Sequence, residues 1–370
     1  YVYTAIKSHD GLFNETYRLN YSKTEHVTGS LINIDNNIIR SCLKYLKIKE
    51  RMNITISTDI PSFSGLGASS SIIVGLLKAL YVYKNKKIST QKLAETACKI
   101  EIDILKNPIG KQDQYAATFG GFKSYKFFKK NRVIVKNQNN SVVKKIFKNS
   151  LFVWVGNFKQ TSKILKDQNK LISRRINYYK ELINLVEKSE KVLNKEKFKI
   201  EKFAYLLNKN WLLKKKLSKN ISNKKIDNLY SKCLKNGAMG GKILGAGSGG
   251  FLLLIVKKRC RKKLNNFLKL KKIYSFSGSD RGAEVIYKNF YWYFIMLFIT
   301  GSESFIGKEL IKRCIKNKIK YFGVDLTSKD ILGFNAKKKY LDQINTAKEL
   351  TTHNDAIKVY VADINDQKCV

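Results

Sequence analysis

The sequence predicts an α+β fold over residues 1–289, followed by a shorter α/β segment, and three stretches carry that expectation. Asn53 to Ser57 alternates with Ile54 and Ile56 on one face, then Ser64-Gly65-Leu66-Gly67-Ala68-Ser69-Ser70-Ser71 leads into Ile72, Ile73, Leu76, Leu77 and Leu80 at helical spacing. Gly245-Ala246-Gly247-Ser248-Gly249-Gly250 opens the apolar run Phe251 to Val256, a second glycine loop beside a buried strand. Met296 to Thr300 begins again with strand, glycine turn and helix, and Tyr321 to Asp325 returns as a strand.

The remaining elements follow in chain order. Tyr1–Lys7 and Thr16–Tyr21 read as strands joined by a turn near Asp10-Gly11, and Ile34, Ile38, Cys42 and Leu46 mark a helix. A helix from about Ser89 to Leu105 buries Leu93, Ala97, Ile100 and Ile104, and Pro108-Ile109-Gly110 ends it. Strands are expected near Val133–Val135 and Leu151–Val155, with residues 160–235 helical around Trp211 and their lysines mostly solvated. A helix from Arg259 to Leu270 and strands at Ile273–Ser277 and Ala283–Tyr287 complete the first unit. The expected division is 1–150, 151–289, a linker at 290–295, and 296–370.

Composition narrows the function classes. Seventy-two Lys plus Arg against 28 Asp plus Glu give a formal charge of +44, but the lysines are spread along the chain and arginine is scarce. That pattern is a coding bias rather than a nucleic-acid footprint, so nucleic acid is not the expected partner. A catalytically silent, basic nucleic-acid binder is the alternative from another class. The longest apolar run, Tyr291–Ile299, is too short to span a bilayer, so no membrane partner is expected. Six cysteines without Cys-x-x-Cys spacing exclude a zinc site and a disulfide framework, and point to the cytoplasm.

The first glycine loop carries chemistry. Gly65 and Gly67 let the backbone turn sharply, Ser69 to Ser71 are placed to cap the following helix, and its first-turn N–H groups favour a phosphate. The Gly-Lys-Ser/Thr ending of a Walker loop is absent. Two acidic residues follow. Glu101 lies at the margin of a buried helix face without a lysine at i±4, and reads as a carboxylate turned toward a cation or as an ordinary surface residue. Asp113 follows the Pro-Gly break in Gly110-Lys111-Gln112-Asp113-Gln114, and by itself reads equally as a solvated, helix-capping residue.

Pro61-x-x-x-Gly-Leu-Gly-x-Ser-Ser, Gly110-Lys111-Gln112-Asp113-Gln114 and Gly245 to Gly250 together, in this order, resemble motifs of the GHMP kinases. The resemblance implies a ribosomal S5 domain 2-like N-terminal half and a ferredoxin-like C-terminal half. It implies ATP and Mg²⁺, with residues 64–71 and 245–250 around the phosphates, Ser69 and Glu101 on the metal, Asp113 meeting a hydroxyl, and Lys111 beside Asp113 keeping it ionised. Ala68 stands where a serine is usual, and Ser248 where a glycine is usual. Leu19–Glu25, Ile100–Leu105, Gly110–Tyr115 and Gly237–Lys242 are similar to the heptose 7-phosphate kinase subgroup, which implies a small sugar phosphate as acceptor. An Arg-x-Pro-x-Arg strand expected ahead of Tyr1 is missing, so a fragment, and an inactive one, is an expectation too.

Thr300-Gly301-x-x-Ser304-Phe305-Ile306-Gly307 resembles the dinucleotide loop of NAD-dependent epimerases and dehydratases, with Asp325 toward the ribose and Asp363 toward the adenine. This implies a truncated Rossmann-like segment with NAD(P) as a weak ligand and without a Tyr-x-x-x-Lys pair. A bifunctional kinase–epimerase is the second enzymatic reading.

Overall fold

The computed structural model describes residues 1–9, 14–61, 64–129, 132–156, 161–269, 272–276, 280–288, 296–300 and 320–324. Backbone contacts divide the chain into Tyr1–Ile286 and Tyr287–Val370.

The first unit opens with β1 (Val2–Ser8), β2 (Tyr17–Asn20) and β3 (Thr24–Val27). Helix α1 (Asn37–Tyr45) starts where Asn36 accepts from the N–H groups of Ile38 and Ile39, as a side-chain cap should. Strand β4 (Met52–Thr58) joins the sheet in the order β1-β4-β2-β3. β1 and β2 are therefore not neighbours, contrary to the turn expected between them. β4 lies between, antiparallel to β1 and parallel to β2. Leu19, Ile54 and Met52 bury the inner face against Ile73, Leu76 and Leu77 of α2 (Ala68–Tyr83).

Helix α3 (Thr90–Cys98) continues into a π-helical turn, Lys99–Ile104, closed by the Leu105 N–H to the Ile100 carbonyl at 2.9 Å. Extrapolating 100° per residue fails across that wider turn. Leu93, Ala97 and Ile100 are buried as expected, whereas Ile104 is exposed and Glu101 turns fully inward. Helix α4 (Gln112–Phe119) and a hairpin of β5 (Lys123–Phe127) and β6 (Val133–Asn137) follow.

The second half holds α5 (Asn140–Lys148), β7 (Ser150–Trp154), α6 (Thr161–Lys170), α7 (Ile176–Leu193), α8 (Ile200–Leu217), α9 (Lys224–Lys235), β8 (Ala238–Ile243), β9 (Phe251–Val256), α10 (Lys258–Phe267) and β10 (Ile273–Tyr274). Its sheet runs β10-β7-β9-β8, antiparallel throughout, with Trp211 wholly buried in the core. Gly240 and Gly241 sit inside β8. A Cβ on Gly240 would strike the Ala204 carbonyl of α8, and one on Gly241 the Leu253 carbonyl. These glycines permit backbone-distance packing rather than a turn. Ala283–Tyr287 is not a strand, and Ala283 instead donates its N–H to the Thr118 carbonyl at 3.2 Å.

In the second unit β11 (Met296–Thr300) pairs in parallel with β12 (Lys320–Val324). The dinucleotide-loop residues Gly301, Ser304, Phe305, Ile306 and Gly307, with Asp325 and Asp363, lie outside the described residues. Among the described residues no helix is long and apolar enough to cross a membrane.

Candidate active site

Two glycine loops far apart in sequence meet. Gly65 has φ +80°, and a Cβ there would lie 2.6 Å from the Leu244 carbonyl oxygen. Gly245 has φ +65°, and its Cβ would lie 2.6 Å from the Gly65 Cα. The backbone is extended across the contact: Phe251 donates its N–H to the Ser64 carbonyl at 3.1 Å. Only residues without side chains allow such approach, so motif chemistry and close packing demand the same composition. Ser248 takes φ +63°, the left-handed conformation that the glycine usual at this position would adopt without strain.

The serines do not cap the helix. Gly67 is the N-cap of α2, with φ +71° and no side-chain cap bond. Ser69 and Ser70 lie in the first turn and donate their hydroxyls to Glu101, at 2.6 Å to Oε1 and 2.7 Å to Oε2. Gln114 of α4 donates Nε2 to the same Oε2 at 2.7 Å. Glu101 is 0% exposed, so the helix behind the loop, the π-helical turn and α4 converge on one buried carboxylate.

Asp113 stands in the first turn of α4, across from Gly67. A Cβ on Gly67 would come within 3.3 Å of the Asp113 Cβ and Cγ. Asp113 is exposed to solvent, yet enough protein lies around its carboxylate to desolvate it in part. That desolvation raises its pKa from the ordinary aspartate value. The Glu101 charge raises it further, and the Lys214 charge opposes both.

A cation that the sequence did not single out, Lys214 of α8, acts on Asp113 and favours its ionised form, while the charge of Lys111 is felt at Cys98. Burial and the Glu101 charge nonetheless hold the Asp113 pKa above its ordinary value. Sequence reasoning passed over Lys214 because it sits in a run of three lysines, Lys214 to Lys216, in a chain rich in them. Its Nζ donates to the Gly245 carbonyl, so α8 is tied to the third motif loop.

A magnesium ion fits this donor set. The residues offer hard oxygens, a hydroxyl and a carboxylate, and two carboxylates that repel each other across the site. Among the described residues no group of three or more His, Cys, Asp and Glu gathers to hold a metal by protein alone. Magnesium bound to nucleotide needs no such group, since phosphate and water supply the other positions. A cavity of about 610 Å³ flanks the entrance of the first loop, lined by Ile60, Pro61, Trp154, Phe251, Tyr274 and Phe276 among others.

Loops that meet over an aspartate–glutamate pair define a phosphotransferase with an alcohol as acceptor. Comparison with known proteins identifies which kind. Residues 37–121 match the GHMP kinases N terminal domain and residues 195–269 the GHMP kinases C terminal domain. The chain is 30% identical over 248 residues to D-glycero-alpha-D-manno-heptose 7-phosphate kinase of Campylobacter jejuni, covering 64% of this chain and 71% of that protein. The crystal structure of the Methanococcus jannaschii mevalonate kinase superposes with a TM-score of 0.57 at 25% identity, over 73% of this chain and 86% of that one. That of a D-glycero-D-manno-heptose 1-phosphate kinase from Bacteroides thetaiotaomicron gives 0.56 at 22%, over 78% and 88%, a likeness of fold. The chain belongs to the GHMP kinase family.

Proposed function

We propose that the protein transfers the γ-phosphoryl group of ATP to the anomeric hydroxyl of D-glycero-D-manno-heptose 7-phosphate, a step toward nucleotide-activated heptose. The observation that carries this reading is Asp113 facing Gly67 across the entry of α2, with Glu101 held directly behind by Ser69 and Ser70. The similarity to the Campylobacter kinase supports the acceptor.

In this mechanism residues 64–71 and 245–250 wrap the phosphates, with backbone N–H groups and the positive end of the α2 dipole toward them. Ser69 and Glu101 hold magnesium. When bound, that ion would supply positive charge to offset the charge of the phosphates. Asp113 orients the sugar hydroxyl and accepts its proton. Lys214 favours the ionised form of Asp113 by its charge. The aromatic cavity beside Pro61 receives the base of the nucleotide.

The test is phosphorus NMR of the chain with MgATP and heptose 7-phosphate, beside Asp113→Ala. The expected result is a new anomeric phosphate signal that falls at least 10²-fold in rate in the variant. Turnover that survives Asp113→Ala would refute the assignment. For the second unit, the parallel pairing of β11 and β12 across residues 301–319 favours the start of a Rossmann-like segment, because parallel strands need a crossover of that length.

A further inference from the structure

Two lysines, Lys214 and Lys242, stand near each other in the second half of the first unit, with Asp113 the carboxylate whose charge acts on Lys214. Asn210 and Lys214 stand one turn apart on α8, and Lys242 projects from β8. Lys242 donates Nζ to Asn210 Oδ1 at 2.7 Å, and Lys214 donates to the Gly245 carbonyl. Among the described residues neither forms an ion pair. Each keeps some contact with solvent, but protein surrounds both ammonium groups on nearly all sides. Burial lowers the Lys242 pKa to about 8. Burial, with the Lys242 charge second, lowers that of Lys214 to about 7, and Asp113 opposes this.

Lys242 borders an open space. A cavity of about 320 Å³ is lined by Lys242, Asn210 and Gln112, the residue preceding Asp113, together with apolar side chains such as Phe122, Leu185 and Phe203, while Lys214 stands one turn along α8 from Asn210. Ser124, Lys123 and Glu190 lie along the cavity too, and Glu190 is already engaged with Lys136 at 3.2 Å. Like charges brought together in a desolvated place are costly until an anion joins them. A phosphomonoester carries close to two negative charges near neutral pH and three acceptor oxygens. In the cavity it would meet the Lys242 ammonium, with the Gln112 and Asn210 amides beside it and the Lys214 charge one turn away along α8.

We infer that Lys242, with Asn210 and Gln112, forms the seat for the phosphomonoester that the acceptor brings with it, set one residue from Asp113 along α4, with the Lys214 charge one turn of α8 behind Asn210. This rests on the sugar-phosphate kinase reading above and deepens it. Such a seat makes the enzyme a kinase of phosphorylated sugars, and separates them from free sugars by charge rather than by ring shape. The same chemistry occurs in the phosphates of ATP, and the kinetics tell the two sources apart.

The test uses the full chain with Lys242→Met, and Lys242→Gln, which retains polarity, should the first fold poorly. The KM for heptose 7-phosphate should rise roughly 10- to 100-fold, the loss of one charge-assisted contact, while the KM for MgATP stays within about twofold. The preference for heptose 7-phosphate over heptose should shrink by the same factor. A rise confined to MgATP assigns the lysines to the nucleotide and overturns the inference, as does an unchanged acceptor KM with turnover intact. A binding measurement independent of turnover completes it. Calorimetric titration with heptose 7-phosphate at pH 8 in two buffers of different ionisation enthalpy should show proton uptake, abolished in Lys214→Met/Lys242→Met. Proton-coupled binding without any turnover would sink the kinase reading and leave the seat standing. Binding without proton uptake would sink the seat.

Discussion

Gly245→Ala separates what the glycine loops do for ATP from what they do for stability. The substitution places a methyl group 2.6 Å from the Gly65 Cα and 3.2 Å from its carbonyl carbon and oxygen, where carbon–carbon contacts settle at roughly 3.5–4 Å. Both sides are backbone, so no side chain can swing away, and the loops must part by about 1 Å. At φ +65° alanine also adopts a left-handed conformation costing about 1 kcal/mol or more. Together these predict a loss of roughly 2–4 kcal/mol in stability. They also predict at least a tenfold weaker affinity for a non-hydrolysable ATP analogue with Mg²⁺, because a 1 Å misplacement around reacting phosphates is expensive. Gly29→Ala is the control. It has φ +82° and nothing within 4 Å of the added methyl, so it carries the strain alone. Thermal unfolding and isothermal titration of the two variants form the assay. Gly29→Ala should lower Tm by a few degrees and bind nucleotide like the parent. If Gly245→Ala lowers Tm yet binds the analogue within twofold of the parent, the meeting of the loops does not shape the nucleotide site.

Two further outcomes follow from the site. Glu101→Gln preserves volume in a fully buried place but turns an amide toward hydroxyls that now donate; turnover titrated with Mg²⁺ at fixed ATP should require at least tenfold more metal, with Asp113 free of one repulsive charge. The lysine pair predicts a pH effect on stability. Folded values of about 7 and about 8 lie below the unfolded value of 10.5, so the unfolded chain binds more protons between about pH 7 and 10. Stability contributed by this pair therefore rises with pH across that window. After allowance for partial solvent contact, chemical denaturation at pH 7 and 9.5 should show roughly 2–3 kcal/mol of this rise, lost in Lys214→Met/Lys242→Met. An identical slope in parent and variant would show that both lysines are charged and solvated in the folded protein.

Local patterns made much of the molecule legible. Helices α1, α2 and α3 follow apolar spacing, and β4 and β9 follow alternation and an apolar run, because each buries one face against a single core. Asp113 and Glu101 became candidates through the motif resemblance, since taken alone each reads equally as an ordinary surface or helix-capping residue. What escaped was set by distant partners. β8 was hidden because Gly240 and Gly241 read as turn residues, whereas their lack of Cβ serves packing against α8 and β9. Ala283–Tyr287 reads as a strand in composition but pairs with none of the described strands. Position alone suits Ser69 and Ser70 to capping, whereas Glu101 of the π-helical turn takes both hydroxyls.

Lys214 shows why charge was the hardest feature to read. In a chain of formal charge +44, one more lysine carries no signal, and neither does the adjacent Lys215, which pairs with Asp227 at 2.8 Å in the ordinary way. Lys214 differs only through the fold, which sets it among Lys242, Asp113 and the Gly245 carbonyl. The charges there are coupled in a chain. Glu101 pushes Asp113 toward protonation and Lys214 pulls it back, while Lys242 pushes Lys214 toward neutrality and Asp113 pulls it back. Within the chain both outer charges act against the inner pair, so the Asp113 pKa is raised and the Lys214 pKa lowered from their ordinary values. A cation bound at Glu101 and an anion bound at Lys242 would each remove one of those pressures. On the proposed function, the carboxylate that accepts the hydroxyl proton reaches its ionised state most fully when metal-nucleotide and phosphorylated acceptor are both in place. Water entering with nucleotide alone meets an Asp113 that still lacks half of that support.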